Sequence, residues 1–320
     1  MGIALSLIFF YLIFQKVDIS KVFGILGEVN YFLVLLAIPI HLSSFIFRSV
    51  RWSVILQTLK KFEPIKLFPF ISIGYMANNV LPFRLGELIR AQFFGKKIGL
   101  SRSSVLATIL VERLLDGWTL LSFLGLILIF YPLPANFAKL PQIGFIIFLF
   151  PVLFFLLFVR FGGQKLLSSL AQKNTGRKYV GSGLVFFNNF FNGLEILKKG
   201  RNTTTAFGYS ICVWLLETSL LYIISLAFNL NLAFWQFLLI MSIVGIGMLI
   251  PSAPGYFGPF EFFVVSMLVF FGIEKNTAVS YAFLTHFVGW LPINLIGFFF
   301  AFKLGFTLKT NQISAEVKDE

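Results

Sequence analysis

Long apolar runs alternate along the chain with short polar or basic intervals. Residues 31–47, 103–130, 143–159, 204–228 and 278–302 are each nearly free of interruption. As helices at about 1.5 Å per residue they approach or exceed the ~30 Å hydrocarbon layer of a bilayer. Met1–Phe14 is apolar without a basic leader or a small-residue cleavage site, so it reads as a retained first helix. Runs 233–250 and 260–272 are parted by Pro251–Pro259, where three prolines and two glycines forbid a continuous helix. Residues 67–81 contain Gly74, Asn78 and Asn79 and stop at Pro82. That length suits a segment that enters the membrane and returns. The pattern predicts an all-α, polytopic membrane bundle of about eight spans. Re-entrant or broken segments are expected near 67–82 and 251–259, with residues 1–306 as one transmembrane domain and 307–320 as a polar tail.

Composition removes the alternatives. Hydrophobic residues are 58% of the chain and charged residues 12%, against roughly 45–50% and 25% in soluble domains. Continuous runs also exclude an outer-membrane barrel, whose strands alternate. The net charge of +13 is concentrated. Residues 48–102 hold ten Lys/Arg against Glu63 and Glu87, and residues 160–201 hold eight against Glu195. Basic loops stay in the cytoplasm, so the loops around 48–66, 84–102 and 160–201 are expected inside a plasma membrane. The intervals 131–141 and 229–231 are then outside, and both termini are cytoplasmic. Membrane lipids, anionic phospholipid or lipid-linked phosphate, are the expected partners. There is no basic soluble domain to hold a nucleic acid. Cys212 is the single cysteine, and His41 and His286 lack metal-ligand spacing. No metal, cofactor or catalytic signature is read, and the chain is not expected to be an enzyme.

Polar groups within apolar helices are therefore the candidate chemistry. The densest group is Asn78-Asn79, followed by Pro82, Arg84, Gly86, Glu87 and Arg90. On a helix starting near Pro82, Glu87 lies three residues from both arginines. The three would share a face, and the spare guanidinium forks suit a phosphate. The same pattern also fits an interface helix with self-neutralising pairs. Glu112 and Asp116 stand one turn apart and repel unless cations approach; Arg113 reaches Asp116. Pro254, Gly255, Gly258 and Glu261 mark the second interruption. Paired interruptions, one in each half of the chain, point to an inverted repeat with a site between the halves. Arg48, Arg51 and Trp52 read as a basic-aromatic interface anchor. Glu217, His41 and His286 read as interhelical hydrogen-bonding groups.

These segments resemble the membrane region of lysylphosphatidylglycerol synthases, the multiple peptide resistance factors, and their stand-alone flippase-like relatives. The likeness is carried by Arg48-x-x-Arg51-Trp52, Gly74 with Asn78 and Asn79, and Leu81-Pro82-x-Arg84-x-Gly86-Glu87-x-x-Arg90. Glu112-Arg113-x-x-Asp116 and Pro251-x-x-Pro254-Gly255-x-x-Gly258-x-x-Glu261 complete it. The chain departs from the pattern at Tyr256, where relatives often carry glycine, and at Pro259. The resemblance implies a translocase that moves a phospholipid or isoprenoid-phosphate-linked lipid between leaflets. Arg84 and Arg90 would receive the phosphate, Glu87, Glu112 and Asp116 would hold those arginines or read a cationic headgroup, and Glu261 with the broken segment 251–259 would form the facing wall. The family's aminoacyl-transferase domain is not expected here, because the chain ends within 20 residues of its last span. A membrane-embedded lipid-modifying enzyme and a non-catalytic subunit of an envelope-assembly complex are the alternatives. A homo-oligomer or an envelope-enzyme partner is compatible with each.

Overall fold

A computed structural model describes residues 2–82, 85–131, 137–161, 169, 178–198 and 200–305. Arg84, most of the basic interval 160–177 and the tail 307–320 lie outside the described residues. Among the described residues, twelve α-helices follow one another: α1 (Gly2–Phe14), α2 (Ile19–Gly27), α3 (Tyr31–Leu56), α4 (Pro64–Val80), α5 (Leu85–Ile98) and α6 (Arg102–Leu128). The second half contributes α7 (Leu140–Arg160), α8 (Lys178–Gly193), α9 (Gly200–Ala227), α10 (Phe234–Gly247), α11 (Pro259–Phe270) and α12 (Lys275–Lys303). Their starts follow local chemistry. Asp18, Asn30, Ser101 and Glu274 cap α2, α3, α6 and α12, each accepting a backbone N–H of the first turn. Pro64 and Pro259 stand in the first turns of α4 and α11, where a missing N–H does no harm.

The centre of the bundle is the antiparallel pair α3 and α9. The Asn30 N–H donates to the Ala227 carbonyl at one end (3.1 Å), and Arg51 donates to Ser210 Oγ at the other (2.8 Å). With α12, these are the helices among the described residues whose length and apolarity suffice to cross a bilayer; α1 and α2 are bent by 82° at the break between them.

Each half then inserts a helical hairpin. In the first, α4 and α5 run antiparallel, with Phe70 against Phe94 near the open end (5.0 Å between ring centroids). Gly74 lies against the Arg90 side chain. Leu81 is extended (φ −100, ψ 146) ahead of Pro82. In the second hairpin Trp235 meets Phe271 at the open end (6.0 Å), while Gly247 and Phe263 pack near the tip. The open ends lie at opposite ends of the α3–α9 pair: Trp52 of α3 touches Phe94, whereas Ala227 leads directly into α10. The tips meet between them, with Asn78 and Leu81 facing residues 249–256 across a cavity of about 270 Å³. Two units of helix, hairpin and helix, α3–α6 and α9–α12, therefore run in opposite directions. This is the inverted arrangement that the paired interruptions foretell.

The broken segment expected near 251–259 is the tip of this second hairpin. At 14 and 12 residues, α10 and α11 are about 21 and 18 Å long, too short for the hydrocarbon layer. Antiparallel pairing with a tip at depth is how such lengths are accommodated.

Non-helical backbone at that depth needs partners. Ser6 of α1 supplies two: its hydroxyl donates to the Phe257 carbonyl (2.7 Å) and accepts from the Ala253 N–H (2.8 Å). Glu261 Oε2 accepts the Gly258 N–H (2.8 Å). The turn uses left-handed backbone at Gly255 (φ 71), Tyr256 (φ 63) and Gly258 (φ 100). Tyr256 thus occupies a conformation that favours glycine.

The first hairpin depends on Gly86. A β-carbon there would fall on the Gly74 carbonyl and the Asn78 nitrogen, both backbone atoms that cannot rotate away. Gly86→Val is expected to destabilise the detergent-solubilised protein by at least the ~1–3 kcal/mol typical of overpacking. Thermal unfolding followed by size-exclusion chromatography checks this. Valine on the exposed face at Leu88 is the neutral comparison.

Candidate functional site

Between α3, α5, α6 and α9 the bundle buries a network of charges. Arg51 of α3 is 0% exposed. Its Nη1 donates to Asp116 Oδ1 (2.5 Å), and its Nη2 lies 3.4 Å from Glu112 Oε1. One guanidinium therefore bridges the two carboxylates that α6 places on one face. Arg90 of α5 comes within 2.8 Å of Glu112 Oε2 and lies flat over Trp52, 3.6 Å from the ring centroid. Trp52 in turn donates to Thr108 Oγ1 (3.1 Å). Arg48 donates to Glu217 Oε1 (3.1 Å) and to the Tyr75 hydroxyl (2.7 Å). Arg113 also donates to that hydroxyl (3.0 Å), with Asp116 at 3.4 Å and Glu87 at 3.6 Å. Glu217 accepts additionally from Ser44 (2.7 Å) and bonds His41 Nδ1 (2.9 Å); Trp214 Nε1 donates to Asp116 (3.0 Å).

Several expectations change as a result. Arg48, Arg51 and Trp52 do not anchor an interface. All three are buried, because Asp116, Glu112 and Glu217 provide counter-charges that the surface would lack. Arg90 and Glu87 do not pair. Arg90 faces α6 and is covered by Trp52, so it is not open to a phosphate. Glu87 instead reaches Arg113. Glu112, Arg113 and Asp116 do form one network, completed by Arg51 and Arg90. Glu217 and His41 form the expected interhelical bond, between α3 and α9, and His286 of α12 does the same with Glu261 of α11 (2.5 Å). Arg84 lies outside the described residues.

A cavity of about 190 Å³ opens beside this network, where the two halves meet. One wall is polar, formed by Arg48, Arg113, Tyr75, Glu217 and His41. The hairpin tips contribute Asn79 from the first half and Gly255 and Tyr256 from the second. α12 adds Thr285, His286 and Trp290, and most of the remainder is apolar, including Phe45, Leu220, Met241 and Phe260. Among the described residues, Arg48 Nε, His41 Nε2 and Trp290 Nε1 have no hydrogen-bond partner, and all three residues line the cavity. Buried polar groups are rarely left so. Asn78 and Pro254 line the neighbouring tip cavity instead, and Gly258 packs on Ser6. Sequence reasoning did not single out Tyr75, Trp214 or Ser210. Each is an ordinary helix residue whose polar atom acquires meaning only from a guanidinium or carboxylate on another helix.

A family model described as the lysylphosphatidylglycerol synthase transmembrane region matches residues 1–297. The chain belongs to this family. A UPF0104 membrane protein of Pyrococcus horikoshii is 25% identical over 288 residues, covering 82% of this chain and 85% of that one. A UPF0104 membrane protein of Methanocaldococcus jannaschii is 22% identical over 315 residues, 92% of this chain and 91% of its own. The glycosyltransferase AglD of Haloferax volcanii is 30% identical over 129 residues, 40% of this chain and 21% of that protein. No solved structure matches. As a member of the lysylphosphatidylglycerol synthase transmembrane-region family, with its apolar helices, the chain is a multi-pass membrane protein.

Proposed function

We propose that the protein moves a phosphate-bearing lipid, a phospholipid or an isoprenoid-phosphate-linked lipid, between the leaflets of the plasma membrane. The observation that carries this reading is the cavity between the hairpin tips. It joins guanidiniums of α3 and α6 to unpartnered donors on α3 and α12, opposite an apolar wall. Its volume of about 190 Å³ equals roughly six waters at ~30 Å³ each, enough for a headgroup and too little for acyl chains. A headgroup housed there would leave its chains in the surrounding lipid, which is the geometry translocation requires. Arg113 and Arg48 would receive the phosphate, in place of Arg90, which faces α6 under Trp52.

The basic ends of α3, α5 and α12 would face the cytoplasmic leaflet, following the positive-inside rule. The second hairpin would then open toward the other leaflet.

Mass spectrometry of lipids co-purifying with the protein tests the site. Wild-type protein is expected to carry a phosphate-bearing lipid at near-stoichiometric level, and Arg113→Ala to lose most of it. Equal lipid in both samples would place the headgroup elsewhere.

A further inference from the structure

The second hairpin tip is held by one histidine whose hydrogen bonds cannot all be made without an extra proton. His286 Nδ1 lies 2.5 Å from Glu261 Oε1, and His286 Nε2 lies 2.9 Å from the Gly255 carbonyl oxygen. The carbonyl can only accept, and an ionised carboxylate can only accept. Both contacts are satisfied in two arrangements alone: an imidazolium beside a carboxylate, or a neutral imidazole bearing its proton on Nε2 beside a protonated Glu261. The pair holds the same number of protons in either. Once that proton leaves, a single N–H remains for two acceptors. One contact then sets a nitrogen lone pair against an oxygen lone pair, in a site where Glu261 is 0% and His286 8% exposed.

The second oxygen of Glu261 is occupied by the Gly258 N–H, so the carboxylate keeps a hold on the tip through residue 258. The contact free to give way is the one at Gly255, whose carbonyl belongs to the left-handed turn. The rings of Phe257 and Phe260 lie 4.4 and 4.5 Å from the imidazole and enclose it.

We propose that His286 and Glu261 form a proton-binding latch. With the proton bound, the latch ties the Gly255 carbonyl to α12 and closes the tip; without it, the tip is released and access to the cavity changes. The proton exchanges with water in the cavity, which His286 and Gly255 both line. The other titratable and charged groups facing that space are His41 and Arg48 of α3, Tyr75 of α4, Arg113 of α6, Glu217 of α9 and Tyr256 of the tip. α10 presents only apolar side chains and a glycine there. The inference rests on the lipid reading only for what the cavity carries; the latch is read out without lipid movement.

The test uses the full-length protein in detergent. The chain has two histidines, so ring-labelled histidine gives two NMR resonances, and His41→Gln assigns them. In a Cys212→Ser background, Ser252→Cys at the tip reports opening through its rate of thiol modification. That rate is normalised to an exposed cysteine at Lys60 to remove the thiol's own titration. The His286 resonance and the normalised rate are expected to change together in one pH step. The rate should rise about tenfold on loss of the proton, the scale of one charge-assisted contact. Glu261→Gln reproduces the hydrogen bonds of the protonated pair without a titrating carboxyl, and its rate should stay low at every pH. If that variant does not fold, His286→Gln must also remove the pH step. A normalised rate that ignores pH, that changes apart from the His286 titration, or that keeps its step in the non-titrating variant overturns the latch.

Discussion

Arg51→Met is expected to destabilise the protein by about 3–5 kcal/mol, the usual consequence of removing one partner from a buried ion pair. Methionine fits the space left by the side chain, so packing loss is small and the effect isolates charge. The cost arises because Asp116 and Glu112, at 5% and 1% exposure, lose the guanidinium between them. Arg90 still reaches Glu112, and Arg113 still reaches Asp116, but neither spans both carboxylates. Adding Asp116→Asn removes one stranded charge and should restore part of the stability. Thermal unfolding in detergent measures both. A single variant within about 1 kcal/mol of wild type would show that the network does not hold α3 to α6.

Arg113→Ala should behave in the opposite way, with folding retained and lipid handling lost. Its side chain is 29% exposed and lines the cavity, and Asp116 keeps Arg51 and Trp214 when it is removed. Charge-assisted hydrogen bonds contribute about 1.5–3 kcal/mol each, so affinity for a phosphate headgroup should fall about tenfold or more. Arg113→Lys keeps the charge but loses the planar fork that contacts Tyr75 and Asp116 together, and should lie between alanine and wild type. Binding of a soluble short-chain phospholipid by calorimetry, beside a melting curve for each variant, separates affinity from folding. Unchanged affinity in Arg113→Ala would remove this residue from the headgroup site.

The architecture was legible because a bilayer leaves few choices. Pro82 and the Pro251–Pro259 segment cannot continue a helix, and the apolar lengths on either side limit what the chain does next. What the pattern did not show is that α10 and α11 return on themselves. An apolar run of 14 residues looks the same whether it crosses or turns back, and only pairing such as Trp235 with Phe271 decides it.

The site was legible in part, for a related reason. Glu112, Arg113 and Asp116 were recognisable as a network lacking cations, since two carboxylates one turn apart need them. Spacing along one helix suggested Arg84 and Arg90 as donors beside Glu87, and of these two Arg90 lies among the described residues. The actual choice is made across helices, where Arg51 fits between the carboxylates and Trp52 lies against Arg90. Basic residues next to a tryptophan at a span's end look like an anchor in sequence. Their burial follows from counter-charges more than 60 residues away.

Transbilayer movement of a fluorescent phospholipid in sealed vesicles containing the purified protein tests the central claim most directly. Dithionite added outside bleaches only the outer leaflet in protein-free vesicles, leaving about half the signal. With wild-type protein the account predicts that the protected fraction falls well below that half, as inner-leaflet lipid reaches the reagent. Arg113→Ala vesicles should bleach at a rate at least tenfold slower in this second phase. A headgroup-labelled isoprenoid phosphate takes the same assay if the phospholipid is not moved. Protection of half the signal for both lipids, with folded wild-type protein in the membrane, would contradict the account.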